Sequence, residues 1–494
     1  MAFTEPQRGS GERPAIVDGG GVHTHADLDD ASARVASALV ASRGDLAEAR
    51  IALLIQPGFE FVAALAGVWR AGGLAVSLAV ADPAAELDYI LRDAEIDTII
   101  AGHSFAQAVK PLASGAGAEL RTIDDMLSAE TRDLPVVLPD RRALMLYSSG
   151  TTAKPKGVVM THAAVAAQVS SLVKAWDWTA DDRSLLVLPL HHTHGLINAC
   201  WTPIHAGACC EMMPRFDATA TWARLASGEI TVFTAVPTVY HRLIARWEAA
   251  PEATREVWSA GARRSRLMMC GSAALPVPVL ARWQEITGQV LLERYGLTEA
   301  GMVLSNPLHG RRRPASVGTP LPGVTVRLVD EHGAPVSPES SGEVEVRSPG
   351  LFSEYWRRPD LTRAAFRDGW FRTGDVAVVE DGAYHLLGRQ NVDIIKSGGY
   401  KISALEIEDA VRTHPSVADC AVVGIADLSW GERVCAAVEL RQGLALSLDE
   451  LQAWMKERIS PHKVPKDLRC VPALPRNAMG KVVKPQVSGL FKDG

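Results

Sequence analysis

At 494 residues the chain is too long for one ordinary core, and a balance of 47% apolar to 22% charged residues is that of a globular enzyme built from at least two domains. A formal net charge of -6 with no basic block argues against a nucleic-acid footprint. Seven scattered cysteines, Cys209 and Cys210 adjacent, read as reduced core thiols, residues 1–17 lack the apolar core of a signal peptide, and the apolar stretch 61–80 is broken by Arg70 and paired glycines, so a cytoplasmic protein without a transmembrane segment is expected.

Residues 24–43 read as a helix, with Leu28, Val35 and Leu39 on one face and Thr24 with Asp27 able to cap it. Strands at 51–55, 74–78 and 97–101 alternate with helices at 59–71 and 84–94. Short apolar strands interleaved with helices mean parallel sheets covered on both faces. The pattern resumes with strands at 185–190, 232–236, 267–269 and 290–292, whose endings should converge on one crevice. From about Val317 the texture changes to Gly- and Pro-punctuated strands at 324–329, 343–346, 376–379 and 384–387, as in a small antiparallel barrel or sheet. Helices at 404–412 and 448–459 around strands at 420–424 and 434–440 then predict a compact α+β unit, with a boundary near residues 389–393.

Between these elements lie stretches with chemistry in them. Tyr147-Ser148-Ser149-Gly150-Thr151-Thr152-Ala153-Lys154-Pro155-Lys156-Gly157 offers hydroxyls, backbone N–H groups and two ammonium charges to one small anion, most simply a polyphosphate. It is not a Walker A loop, because Pro155 stands where that pattern needs Gly-Lys. A solvated turn is the bland alternative. Pro189-Leu190-His191-His192-Thr193-His194-Gly195 invites a zinc reading, but adjacent histidines on an extended chain point to opposite faces. Cys270-Gly271-Ser272-Ala273-Ala274-Leu275-Pro276 is either a ledge for a flat base or a tight turn. Glu293-Arg294-Tyr295-Gly296-Leu297-Thr298-Glu299 carries a carboxylate suited to a hard cation bridging phosphates. Trp370-Phe371-Arg372-Thr373-Gly374-Asp375 sets a carboxylate, able to accept both hydroxyls of a ribose, behind an aromatic anchor.

In this order, and together with Lys396-Ser397-Gly398-Gly399-Tyr400-Lys401-Ile402 and Pro475-Arg476-Asn477-Ala478-Met479-Gly480-Lys481, these motifs resemble the adenylate-forming superfamily of acyl-CoA synthetases, peptide-synthetase adenylation domains and luciferases, over nearly the whole chain. The resemblance implies a fold of α/β class: a large N-terminal domain of parallel-type sheets with a barrel-like subdomain, residues 1–389, and a mobile α+β domain, residues 390–494. It implies ATP and CoA as co-substrates and Mg²⁺ on the ATP. Ser148, Ser149, Gly150, Thr151, Thr152, Lys154 and Lys156 become the phosphate loop. Adenine and ribose fall to Ser272, Ala273, Ala274, Tyr295, Gly296, Asp375 and Arg389, with Thr298 at the phosphates and Glu299 at the metal. His192, His194, Arg294, Gly301 and Met302 line the acyl site, and Ser397, Gly398, Gly399 and Tyr400 the pantetheine channel. Lys481 reaches the α-phosphate, and Thr151, Glu299 and His192 join it as catalytic candidates. The family's hinge position falls on Asn391, with Asp393 two residues on.

Within the superfamily the motif set resembles malonyl-CoA synthetases. Where synthetases for neutral acyl chains commonly carry a small residue, Arg294 offers a fork for a second carboxylate. Malonate is therefore the first expectation and methylmalonate the second. The alternative for Arg294 is an internal pair, with Glu293 as the partner; for the chain, it is another short- or medium-chain acid or a carrier-protein thiol. A monomer is favoured.

Overall fold

The computed structural model describes residues 11–41, 43–148, 155–337, 339–390, 392–397, 400–476 and 482–491. Its first helix, His25–Val40, begins where the sequence marks it: Thr24 Oγ1 accepts the Asp27 N–H at 3.1 Å, and the Asp27 carboxylate accepts the Thr24 N–H at 2.8 Å. Leu28, Val35 and Leu39 face inward and pack on the helix Phe59–Arg70, where Gly67 admits the Val35 side chain.

Two large sheets result from the alternation of strand and helix. The seven-stranded sheet runs, in spatial order, Glu354–Tyr355, Lys156–Thr161, Arg142–Ser148, Leu74–Ser77, Arg50–Leu54, Thr98–Ala101 and Glu119–Thr122. Its inner strands are parallel, and Lys156–Thr161 returns antiparallel on Arg142–Ser148. The nine-stranded sheet runs Thr319–Pro320, Gly301–Ser305, Leu292–Leu297, Leu267–Cys270, Val232–Ala235, Arg183–Leu186, Cys209–Met212, Pro14–Asp18 and Gly21–Thr24. Here too the inner strands are parallel and the edges turn back as hairpins. The inner strands are buried along their length, because helices close both faces.

The Gly- and Pro-rich texture beyond Val317 is a five-stranded antiparallel sheet, Thr325–Val329, Gly342–Arg347, Trp370–Glu380 and Phe366–Arg367, with Ala383–Arg389 also on Trp370–Glu380. From Ile394 the chain builds a separate sheet on Gly431–Leu440. Val417–Asp427 and Ile394–Ser397 pair with it antiparallel and Asp467–Val471 parallel, with Ala404–Arg412 and Leu448–Lys456 packed around their own apolar core.

Three expectations need correction. The strand expected at 290–292 is Leu292–Leu297, so Glu293, Arg294 and Tyr295 lie inside it rather than beyond its end. Likewise the strand expected at 376–379 is Trp370–Glu380 and contains Asp375. In both, polar functional residues interrupt the apolar pattern, and the ladder continues past them through register shifts at Tyr295 and Gly296 and between Arg372 and Ala377. The strand expected at 185–190 ends at Leu186, and a turn at Leu190 and His191 brings the His191 and His192 rings together, centroids 4.2 Å apart, instead of sending them to opposite faces. The turn leads into a π-helix, His194–Trp201, which has no periodic signature in the sequence.

Candidate active site

The hairpin Arg142–Ser148 and Lys156–Thr161 holds the two ends of the phosphate-loop motif opposite each other, Ser148 paired with Lys156. Ser149, Gly150, Thr151, Thr152 and Lys154 lie outside the described residues. At the mouth of the hairpin the Lys156 ammonium sits 3.7 Å from the centroid of the Tyr355 ring and 4.0 Å from the Glu299 carboxylate. Glu299 Oε1 accepts the Tyr355 hydroxyl at 2.8 Å. Burial lowers the Lys156 pKa, against which the Glu299 charge works. One buried carboxylate beside the phosphate-loop hairpin fits a cation that arrives on ATP. A resident metal would need more: among the described residues no group of three His, Cys, Asp or Glu side chains could hold one.

A second cluster lies on the neighbouring sheet. The Tyr295 hydroxyl donates to Asp375 Oδ2 at 2.5 Å, and Arg389 Nε donates to Asp375 Oδ1 at 3.1 Å. The Asp375 N–H is itself held by Thr373 Oγ1 at 3.0 Å. Tyr295 is thus fixed by its hydroxyl, and the next residue, Gly296, lies tightly against Gly301 and Met302. Ser272, Ala273 and Ala274 form an exposed ledge after the strand Leu267–Cys270, and Ser272 takes a left-handed φ of +69°. That conformation turns its side chain away from the ledge. Ser272 Oγ lies 3.0 Å from His194 Nδ1, leaving backbone and the two alanines as the flat surface.

The same contact starts the third cluster. His194 is buried between Ser272 Oγ and Thr234 Oγ1, the latter 2.7 Å from Nε2, so both ring nitrogens are occupied. Burial, with the nearby Arg294 charge, pushes its pKa well down and keeps it neutral. His192 Nε2 is buried without a partner, its pKa lowered to about 4 by burial.

Arg294 is 3% exposed, and none of its three side-chain nitrogens has a hydrogen-bond partner among the described residues. The internal pair with Glu293 does not form. Neighbours on a strand face opposite ways, and Glu293 accepts the Ala315 N–H at 3.1 Å instead. The guanidinium lies against Gly271, where a Cβ would stand 2.2 Å from Nη1, so glycine makes the room. Its other close neighbours are the Cys270 thiol and the Tyr240 phenol, which donates to the Met269 carbonyl. Desolvation pulls Arg294 down only to about 10, so it stays charged at neutral pH. Gly301 and Met302 line the strand paired with it.

Of the thioester-side motif, Gly398 and Gly399 lie outside the described residues, as do Lys481 and Asn391. Ser397 is buried, and Tyr400 is exposed and stacked on His462 with centroids 4.3 Å apart. Asp393 is locked in place: its carboxylate accepts the Arg389 N–H at 3.0 Å and its carbonyl accepts the Ala404 N–H at 2.8 Å. The Lys484 ammonium stands 2.6 Å from Asp393 Oδ1 and 2.8 Å from Glu408 Oε1, an ion-paired buried triad. Tyr355, Thr234 and Lys484 escaped the sequence reading. Tyr355 adjoins the run Trp356-Arg357-Arg358, an aromatic-basic stretch that was the available signal; Thr234 and Lys484 act only through distant partners.

Three clusters of this kind between two sheets, with a small α+β unit beyond, define a nucleotide-dependent ligase class. Residues 3–356 match the model of the AMP-binding enzyme family and residues 406–481 that of the AMP-binding enzyme C-terminal domain. The chain belongs to the AMP-binding enzymes. It is 44% identical to the mitochondrial malonate–CoA ligase ACSF3 of Bos taurus, over 96% of this chain and 87% of that one. ATP-bound MatB from Rhodopseudomonas palustris superposes with a TM-score of 0.89 at 33% identity, covering 98% of this chain and 97% of MatB. A malonyl-CoA ligase ternary product complex with methylmalonyl-CoA and AMP superposes at 0.71, with 35% identity and 96% and 99% coverage.

Proposed function

We propose that this chain is an AMP-forming acid–CoA ligase that activates malonate, with methylmalonate as its second substrate. A malonate carboxylate oxygen attacks the α-phosphorus of ATP, the bond to pyrophosphate breaks, and the CoA sulfur then attacks the acyl carbon and releases AMP. No covalent enzyme intermediate is required, so the residues act by position and charge.

The observation that carries the substrate assignment is the buried, unpartnered guanidinium of Arg294. A carboxylate that leaves water needs charged, directional replacement, and one guanidinium supplies two parallel hydrogen bonds. His194, neutral and tethered at both nitrogens, forms a fixed wall of the same pocket. Asp375, held by Tyr295 and Arg389, takes the ribose hydroxyls, and the ledge at Ala273 and Ala274 takes the adenine. Lys156 and Glu299 meet the phosphates, where Mg²⁺ supplies charge neutralisation and Glu299 would hold it. Lys481 and Thr151 are assigned to the α-phosphate and phosphate loop by resemblance, and Ser397 and Tyr400 to the thiol channel.

The domain border is placed between residues 389 and 390. Asp393 is bonded on both sides of that border, to Arg389 as well as to Ala404 and Lys484, and Asn391 is kept as the pivot by resemblance.

The test is release of AMP and pyrophosphate by purified protein with ATP, Mg²⁺ and CoA across a panel of mono- and dicarboxylates. Malonate should lead the panel, methylmalonate come second and propionate trail. Formation of ADP, or equal use of propionate, would contradict the assignment.

A further inference from the structure

Arg294 raises a question that substrate recognition alone leaves open, namely what balances its charge before substrate arrives. Among the described residues, every group that faces it is neutral. Cys270, on the strand Leu267–Cys270, is a buried thiol pushed well up by burial. Tyr240, on the helix Pro237–Glu248, is a buried phenol donating to the Met269 carbonyl at 2.7 Å. His194, at the start of the π-helix, is neutral and doubly tethered. Gly271 brings no side chain, and Glu293 on the same strand points to Ala315. The described residues of the site therefore carry one net positive charge, and none of them offers an acceptor to the three nitrogens. An uncompensated buried charge is costly, and neither deprotonation nor an internal carboxylate relieves it here.

We propose that in the substrate-free enzyme the Arg294 guanidinium binds a small monovalent inorganic anion of the chloride type, which the distal carboxylate of the substrate must displace. The inference rests on the reading of Arg294 as the dicarboxylate anchor. A guanidinium is weakly hydrated and exchanges one anion for another readily. Occupancy by the inorganic ion makes substrate binding an exchange of counter-ions rather than the neutralisation of a bare charge. Small anions consequently compete with the acid and leave the nucleotide end of the site untouched.

The experiment compares the intact enzyme in potassium chloride and in potassium gluconate at equal ionic strength, gluconate being a far larger anion than chloride. In chloride at about 0.2 M the KM for malonate should rise on the order of threefold, with kcat and the KM for ATP unchanged. Without substrate, the melting temperature of the wild type should be higher in chloride than in gluconate. Arg294→Met should show neither response when assayed on propionate. Arg294→Lys, which keeps the charge, should retain the melting response and covers the case in which the methionine variant fails to fold. Equal KM values for malonate in both salts, or an undiminished chloride response in Arg294→Met, would overturn the anion site while leaving malonate as the substrate. A wild type that does not use malonate at all would instead overturn the reading on which the inference stands.

Discussion

Arg294 and Lys484 are both buried cations, and they are treated in opposite ways. Lys484 sits between the carboxylates of Asp393 and Glu408, at 2.6 and 2.8 Å. Burial alone would lower its pKa, but the two negative charges more than reverse that, and the net shift is upward. Arg294 has no carboxylate within reach, and its pKa falls. Lys484 is ion-paired by the fold itself: it ties the helix Lys484–Gly489 to the segment after Arg389 and to the helix Ala404–Arg412. Arg294 is left for something the fold does not supply. A buried charge with partners is part of the architecture; one without them is a place for a ligand.

The contrast can be broken by exchanging each cation for methionine. Lys484→Met leaves two carboxylates close together without their cation, and loss of one partner from a buried pair typically costs about 3–5 kcal/mol. Its melting temperature in the absence of ligands should fall steeply, and the fall should be confined to the C-terminal unit in a hydrogen-exchange experiment. Arg294→Met removes a charge without a protein partner among the described residues instead, so without substrate and in gluconate it should melt no lower than the wild type. A large loss of stability in Arg294→Met would mean the arginine has a structural partner.

A smaller effect is expected at the phosphate end. Tyr355→Phe removes the hydroxyl that donates to Glu299 at 2.8 Å but keeps the ring beneath Lys156. Loss of one hydrogen bond to a charged group costs roughly 1.5–3 kcal/mol. Pyrophosphate release should slow by about 10-fold or more, with a raised requirement for Mg²⁺, and the KM for malonate should stay unchanged. A changed malonate KM would place Tyr355 in the acyl pocket instead.

The smallest effect concerns Glu293, the neighbour that does not pair with Arg294. Burial raises its pKa to about 8, opposed by the Ala315 N–H and reinforced by Asp409. The folded protein therefore holds a proton that the unfolded chain, at the ordinary carboxyl value of about 4.5, has released. Stability from this group is full below pH 4.5 and is lost as pH rises towards 8, with a slope of at most about 1.4 kcal/mol per pH unit. Glu293→Gln should flatten the decline in melting temperature between pH 5.5 and 8; an unchanged slope would mean that Glu293 is ionised in the fold, and a paired Arg294 would then have to be reconsidered.

Much of this arrangement is legible in the sequence because its motifs sit at strand ends and turns, where Gly, Ser and Thr cluster for reasons of backbone geometry. The helix caps at Thr24 and Ser447 and the alternation of strand and helix obey local rules. What the sequence hides is of two kinds. Strands that carry function lose their apolar pattern, so Leu292–Leu297 and Trp370–Glu380 read as too short where Glu293, Arg294, Arg372 and Asp375 interrupt them. Partnerships across the fold have no local signal: Thr234 reaches His194 over 40 residues and Tyr355 reaches Glu299 over 56. The π-helix His194–Trp201 combines both difficulties, being apolar, aperiodic and fixed by distant contacts.

The central claim is that the fold leaves the charge of Arg294 available for the substrate's second carboxylate, and the ratio of kcat/KM for malonate to that for propionate, in wild type and Arg294→Met, tests it most directly. Loss of a bidentate charged contact, at roughly 1.5–3 kcal/mol per hydrogen bond, should lower the malonate value by about 100-fold or more. Propionate should gain, because methionine replaces an unsatisfied charge with apolar surface. A reversed preference is the predicted result, and a parallel fall for both acids would contradict the account.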